Sequence, residues 1–285
     1  MNTTATRVTL TGTGVPPPSP GRAGAGTLVQ HGDVALQFDA GRATTLRLVE
    51  AGVTPGGLNA LFLTHHHSDH CVDVADIVFA RWIERAPDLT VVAPDGPLTA
   101  FGQELTQLWR EDLQIRERVT GRAPLHLDWR AFSAGESPTV VWESGDVAVS
   151  SVLVEHPPVE PAVAYRVDAA GTRVVISGDT RVCAAVENLA QDADLLVHEV
   201  ALREAMPPGA DESVYAYHAD AFELGAMAER SRVRAVALTH LLPAPRTGQE
   251  EQAFAQRLRD GGFTGEILVG RDLMHFTAQP AGVET

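Results

Sequence analysis

The segment Leu63-Thr64-His65-His66-His67-Ser68-Asp69-His70 sets four metal-ligand side chains at the spacing His-x-His-x-Asp-His. It follows directly on the apolar run Leu58-Asn59-Ala60-Leu61-Phe62-Leu63. In extended backbone, residues i and i+2 project to the same side, so His65 and His67 converge on one point while His66 points elsewhere. Asp69 and His70, past the bend, reach a second point. Imidazole nitrogen and carboxylate oxygen together suit zinc, manganese or iron. The competing reading is a surface histidine cluster, and an Asp at this spacing behind a strand-like run argues against it.

Downstream, four apolar stretches that read as strands end in residues of the same kind. Residues 146–154 run into Glu155-His156, 172–176 into Ser177-Gly178-Asp179-Thr180, 194–197 into His198-Glu199, and 234–239 into His240. Side chains at the same end of neighbouring strands meet in one pocket, so residues far apart in the chain can complete the site that the histidine loop begins.

The elements that must position these groups follow from periodicity and turn chemistry. Residues 7–12 read as a first strand and lead into a Gly- and Pro-rich loop over 12–26, placed here as a strand-to-strand connection beside the site. A phosphate-binding loop is the weaker reading, because the Gly-Lys-Ser/Thr signature is absent. Residues 27–30 and 34–38 form a hairpin around His31-Gly32-Asp33 and end in Asp39-Ala40-Gly41. A short helix over 43–51, with Leu46, Leu48 and Val49 on its apolar side, ends at Gly52. Residues 72–84 read as helix through Val74, Ile77 and Val78, and 89–93 as strand. From Pro97 to about Val119 the period is helical, with Phe101, Leu105, Leu108, Trp109 and Leu113 on one face; 116–132 is less regular. That stripe packs as core, or the segment near 97–132 is a helical insertion that covers the site as a lid.

Composition bounds the rest. The chain has 285 residues, 44% hydrophobic and 21% charged, with no linker-like or low-complexity stretch, so a single domain over 1–285 is expected. No apolar run approaches the roughly 20 residues of a membrane span. The start, Met1-Asn2-Thr3-Thr4-Ala5-Thr6-Arg7, lacks the apolar core of a signal peptide, which points to a cytoplasmic protein. The basic side chains are 22 Arg with no Lys, against 37 acidic residues, for a net charge of −15. Such a balance disfavours nucleic acid, although a local Arg patch could still bind it. Cys71 and Cys183 show no paired spacing and read as buried small residues.

The signature His65-x-His67-x-Asp69-His70, followed in order by His156, Asp179 and His240, resembles the metallo-β-lactamase superfamily, over nearly the whole chain. Ser177-Gly178-Asp179-Thr180-Arg181, Asp194-Leu195-Leu196-Val197-His198-Glu199 and Leu238-Thr239-His240 resemble more narrowly its ribonuclease Z branch, with arylsulfatase-like and phosphodiesterase-like relatives. The resemblance implies an α/β fold, a four-layer αβ/βα sandwich. It also implies two divalent metal ions, zinc first with manganese or iron as alternatives. His65, His67 and His156 would hold one ion, Asp69, His70 and His240 the other, and Asp179 would bridge them. A water shared by two such ions ionises near neutral pH and becomes a nucleophile. His218, just ahead of a helix over 219–230, would donate a proton to the leaving group, oriented by Glu199 or His198. The alternative for His218 is a helix-capping role, and His198 is also read as supporting a ligand from behind. Asp39 reads as a turn residue or as a partner behind a ligand. His31, His66, His126 and His275 are assigned surface or packing roles.

Two departures from the family pattern shape the substrate expectation. Ribonuclease Z carries a long tRNA-gripping arm between the positions matching His156 and Asp179, and the interval here is too short for one. The usual Gly-Leu-Pro-Gly run after the histidine loop is replaced by Val72-Asp73-Val74-Ala75. With the acidic charge, these favour a hydrolase of small esters: a phosphodiester, a sulfate ester, or a carboxylic ester or lactone. Nucleic acid and membrane are then not expected as partners, and a homodimer is compatible. The alternatives are a ribonuclease Z-like tRNA 3′-processing endoribonuclease and an iron-dependent oxidoreductase of the same fold.

Overall fold

A computed structural model describes residues 5–209 and 211–278. Residues 1–4, part of the stretch read as lacking a leader, and the C-terminal end of the expected 1–285 domain lie outside the described residues. The first half of the chain forms β1 (Thr6–Gly12), β2 (Gly26–His31), β3 (Val34–Phe38), α1 (Thr44–Glu50), β4 (Ala60–Phe62), α2 (Ser68–Cys71), α3 (Val74–Ile83), β5 (Leu89–Pro94), α4 (Pro97–Glu104), α5 (Arg110–Thr120) and β6 (Leu127–Phe132). The second half forms β7 (Thr139–Ser144), β8 (Val147–Leu153), β9 (Val163–Ala169), β10 (Thr172–Ile176), α6 (Ala184–Leu189), β11 (Leu195–Ala201), α7 (Glu212–Ala216), α8 (Ala221–Arg230), β12 (Ala235–Leu242), α9 (Gly248–Asp260), β13 (Glu266–Val269) and β14 (His275–Ala278).

The strands make two 7-stranded sheets, ordered β14-β1-β2-β3-β4-β5-β6 and β13-β12-β11-β10-β9-β8-β7. Their inner faces pack through Val29, Leu36, Phe38 and Phe62 on one side and Val149, Tyr165, Val167 and Val197 on the other. Phe38 and Phe62 stack with centroids 4.7 Å apart, and Tyr165 meets both rings at 5.5 and 5.4 Å. Each such fully buried side chain contributes about 1.5–3 kcal/mol by leaving water. One outer layer buries Leu48, Val74 and Ile77 against the first sheet, and the other buries Val186, Leu224, Phe254 and Leu258 against the second. The architecture is the expected four-layer αβ/βα sandwich.

Topology sets where chemistry can occur. β3, β4 and β5 are parallel neighbours, as are β10, β11 and β12, so each set brings its C-terminal ends to one edge. Asp39 and the histidine loop leave the first set there, and Asp179 follows β10. Tyr165 ties the layers together at this edge: its hydroxyl, from the second sheet, donates to the Leu63 carbonyl at 2.7 Å.

Three local expectations change. Helix α1 buries Leu48 but leaves Leu46 and Val49 more than half exposed, so its stripe toward the sheet is narrower than the sequence suggests. The helical run from Pro97 is broken near Leu105 into α4 and α5 with a tight turn over Gln107–Trp109. Leu105 and Leu113 are buried, while Leu108 is 85% exposed. Residues 127–132 are not helical: they form β6, parallel to β5. β7, at the edge of the second sheet, has no clear apolar alternation and was not expected from the sequence.

Candidate metal centre

After β4 the chain stays extended through His67, whose φ and ψ of −63° and 140° open the single turn of α2. That turn carries Asp69 and His70, and its geometry is fixed by His70 N–H donating to the His67 carbonyl at 3.1 Å and the Cys71 thiol donating to the same oxygen at 3.0 Å. Both cysteines are buried, as expected. Burial drives the Cys71 thiol up to about 12, so it serves here as a hydrogen-bond donor.

The strand-end residues meet this loop. One group of potential ligands comprises His65, His67, His156 and Asp179, a second Asp69, His70 and His240, and each set places one donor atom per residue within 4.8 Å of the others. Asp179 lies between them: its Oδ2 is 3.9 Å from His65 Nε2, 4.0 Å from His156 Nε2, 3.3 Å from His70 Nε2 and 3.4 Å from His240 Nε2. Asp69 Oδ2 is 3.3 Å from His240 Nε2 and 3.8 Å from His70 Nε2.

His240 reaches this position through a backbone irregularity. In β12, Val236 and Leu238 pack toward the outer helices, and strict alternation would send residue 240 the same way. The pairing with β11 shifts register instead, from Glu199↔Thr239 to Val200↔Leu241, leaving His240 as an extra residue at φ 43°. The bulge turns its imidazole inward, and Leu241 takes up the helix-facing slot.

Burial governs the titration of the cluster. It pushes His65 well below the ordinary imidazole range, assisted by the neighbouring His70, and it lowers His67 to about 4 and depresses His156, so these rings keep their lone pairs. For His70 burial acts in the same direction, but the carboxylates of Asp179 and Asp39 outweigh it and raise the group well above its ordinary value. Burial opposes ionisation of Asp179, yet His240 and His70 hold its carboxyl well below the usual range. A divalent ion would displace the proton on His70.

The residues fit such ions. His65 Nε2 is fully buried and has no hydrogen-bond partner, an arrangement that is costly unless a cation takes the lone pair, and His70 Nε2 faces the carboxylates of Asp179 and Asp69 at 3.3 and 3.8 Å. Behind them, Asp39 Oδ2 accepts from His70 Nδ1 at 2.7 Å, and Asp39 Oδ1 accepts from Thr64 N–H at 2.8 Å. Thr64 Oγ1 lies 3.0 Å from His65 Nδ1. The sequence marked Asp39 as a turn or supporting residue, but nothing in it singled out Thr64.

His218 and Glu199 stand beside the cluster. Glu199 Oε1 accepts from His218 Nδ1 at 3.0 Å and from the N–H groups of Thr180 and Ala219, both at 3.1 Å. The His218 ring stacks on His240 at 5.3 Å. Burial alone would lower His218, but the Glu199 carboxylate raises it to about 9. His198 is not brought into this group. It shares a face of β11 with Leu196 and Val200, toward the outer helices, and its Nδ1 donates to the Glu199 carbonyl at 2.6 Å. His31 is buried against Thr6, while His66, His126 and His275 are exposed.

Comparison with known proteins places this arrangement among relatives. The beta-lactamase superfamily domain matches residues 36–241. The protein named Ribonuclease Z of Mycolicibacterium paratuberculosis is 37% identical over 275 residues, covering 93% of this chain and 96% of that protein. In structure, the chain is similar to the metallo-β-lactamase fold protein YhfI from Bacillus subtilis (TM-score 0.75, 22% identity, 96% and 100% of the two chains). It is also similar to human tRNase Z, short form (TM-score 0.68, 18% identity, 95% and 98%). Among the described residues no helix is long and apolar enough to cross a membrane.

These relatives overturn the expectation of a small-molecule ester as partner with nucleic acid disfavoured. The match to the mycobacterial protein spans both chains nearly end to end, so the short interval between His156 and Asp179 does not set this chain apart from proteins named Ribonuclease Z. The net charge of −15 misleads because it is a sum over the chain. Asp39, Asp69, Asp179 and Glu199 are buried around the centre but are only four of the 37 acidic residues; the sum carries no information on where the 22 Arg side chains lie.

Proposed function

The chain belongs to the metallo-β-lactamase superfamily, in its ribonuclease Z branch, and from that premise we propose that it is a tRNA 3′-processing endoribonuclease that hydrolyses a phosphodiester of the precursor. It is a metal-dependent hydrolase acting on ester bonds. The observation that carries the choice of substrate is the near end-to-end match, at 37% identity, to a protein named Ribonuclease Z. The site geometry supports the same chemistry.

In this reading His65, His67 and His156 would hold one divalent ion and Asp69, His70 and His240 a second, and Asp179, within 4.0 Å of imidazoles of both groups, would add its carboxylate; zinc suits the donor set best. Two such ions would supply Lewis acidity toward the phosphoryl oxygens and lower the pKa of the attacking water. The protein contributes a fixed frame. Asp39 and Thr64 set the tautomers and orientations of His70 and His65, which keeps a lone pair on the inward nitrogen of each. Glu199 anchors His218 through Nδ1, leaving the opposite ring nitrogen for the leaving oxygen. Held protonated by Glu199, His218 donates its proton as the P–O bond breaks.

The reading is tested by incubating zinc- or manganese-loaded protein with a precursor tRNA bearing a 3′ trailer. Endonucleolytic release of the trailer, abolished by chelation, is expected. Intact precursor under conditions where an aryl phosphodiester is turned over would overturn the assignment of substrate.

A further inference from the structure

A cavity of about 790 Å³ lies against the metal loop, walled by His66, Ser68 and Val72 on one side and by Phe101, Leu108 and Trp109 on the other. His66 and Ser68 alternate in sequence with His67 and Asp69, so the cavity and the metal centre share one stretch of backbone. The volume is within the roughly 300–1,000 Å³ of small-ligand pockets. Most of its lining is apolar side chain. Trp109 is 39% exposed and meets Phe79 in a T-shaped contact, with ring centroids 5.1 Å apart.

We infer that this cavity is a nucleobase subsite, which takes the base of a nucleotide flanking the scissile phosphate and stacks it on Trp109. The inference rests on the RNA-cleaving reading above and deepens it. The lining contains no arginine and includes the carboxylate of Glu104, so it repels a phosphate. An uncharged, flat, largely apolar base is the part of a nucleotide that enters such a space, with its phosphates left outside on the side of the metal loop. Every base has a π-face, so stacking on Trp109 tolerates sequence, as cleavage of many different transcripts requires. The turn over Gln107–Trp109 brings Leu108 and Trp109 to the cavity, where an unbroken helix would have carried them along its own axis.

The experiment crosses two changes, one in the RNA and one in the protein. Metal-loaded wild type, Trp109→Ala and Trp109→Phe are assayed on a trailer-bearing precursor tRNA and on the same RNA with an abasic nucleotide on one or other side of the cut. For wild type, one of the two abasic substitutions should lower kcat/KM by about ten-fold, equivalent to one base–aromatic stack of about 1.4 kcal/mol. Trp109→Ala should show a similar loss on intact RNA and no further loss on that abasic RNA, while Trp109→Phe stays near wild type. Quenching of tryptophan fluorescence by a short single-stranded RNA, larger than by its abasic counterpart and weakened in Trp109→Ala, gives a readout that does not depend on cleavage. Failure of the wild type to cut any precursor would remove the tRNA reading while the binding comparison still tests the cavity. Equal loss on intact and abasic RNA in Trp109→Ala, or equal quenching by both oligonucleotides, would overturn the subsite.

Discussion

Asp39 Oδ2 accepts a hydrogen bond from His70 Nδ1 at 2.7 Å, which fixes the ring so that Nε2 faces Asp179 and Asp69. A carboxylate accepts from both His70 Nδ1 and Thr64 N–H, one through each oxygen, whereas a carboxamide has a single accepting oxygen. Asp39→Asn keeps the shape and suits the left-handed φ of 56° at this position. If the amide nitrogen faces His70, the imidazole shifts its proton to Nε2 and loses the lone pair aimed at the cluster. Affinity for a divalent ion should therefore fall about 10–100-fold. Competitive titration with a zinc-sensitive chelator checks this, and an unchanged affinity counts against Asp39 as the residue that sets the His70 tautomer.

Asp179 is within 4.0 Å of four imidazoles, so removing it breaks both halves of the centre at once. Asp179→Ala should lower metal content and abolish turnover. In the wild type, chelation should also lower thermal stability, because ions bind only the assembled site. At a hundred-fold excess over Kd the stabilisation is about 2.7 kcal/mol, or a melting shift of roughly 5 °C or more. Metal analysis and melting curves with and without chelator measure both effects. Full metal occupancy in Asp179→Ala would falsify its place between the ions.

His218 and Glu199 should act as one unit. His218→Ala should retain bound metal and slow cleavage of an RNA phosphodiester by about 10²–10⁴-fold, the usual worth of a placed general acid. An activated aryl phosphodiester, whose leaving group needs no proton, should be affected far less. Glu199→Gln should follow the same pattern more mildly, and the double variant should add little to His218→Ala. Equal losses on both substrates would remove the proton-donor role and leave only a structural one.

Much of this site was legible because ligand-type residues at strand ends are a pattern of sequence, and parallel neighbouring strands turn that pattern into proximity. His65, His67, Asp69 and His70 are read from the spacing of one loop and His156, Asp179 and His240 from strand ends, with the ligand set itself implied by the family resemblance, and their side chains come together. The orientation of His240 was not legible, since a bulge has no signature in Leu238-Thr239-His240. The same blindness to face let His198 stand beside Glu199 as a candidate, although alternation along β11 sends the two to opposite sides. The break between α4 and α5 escaped because Leu108 and Trp109 fit a helical period and face a cavity instead of the sheet. The partner was misread for a different reason: a net charge is a sum over the chain and does not say where its Arg side chains lie.

The metal loop also depends on a contact that involves no ligand. Ala40 N–H donates to the His70 carbonyl at 2.7 Å and Asp73 N–H to the Ala40 carbonyl at 2.9 Å, so the turn after β3 is pressed against α2. Gly41 permits this approach: a Cβ there would lie 2.2 Å from the Asp69 carbonyl oxygen and 2.6 Å from Ala25 N, both backbone atoms with little freedom to yield. Gly41→Ala should thus destabilise by about 1–3 kcal/mol through overpacking, and the displaced loop should bind metal more weakly. Gly248→Ala is the control, because nothing lies within 4 Å of its Cβ position. Melting temperature and metal titration on the two variants should separate them clearly. If Gly41→Ala matches Gly248→Ala in both measurements, the turn after β3 does not hold the metal loop in place.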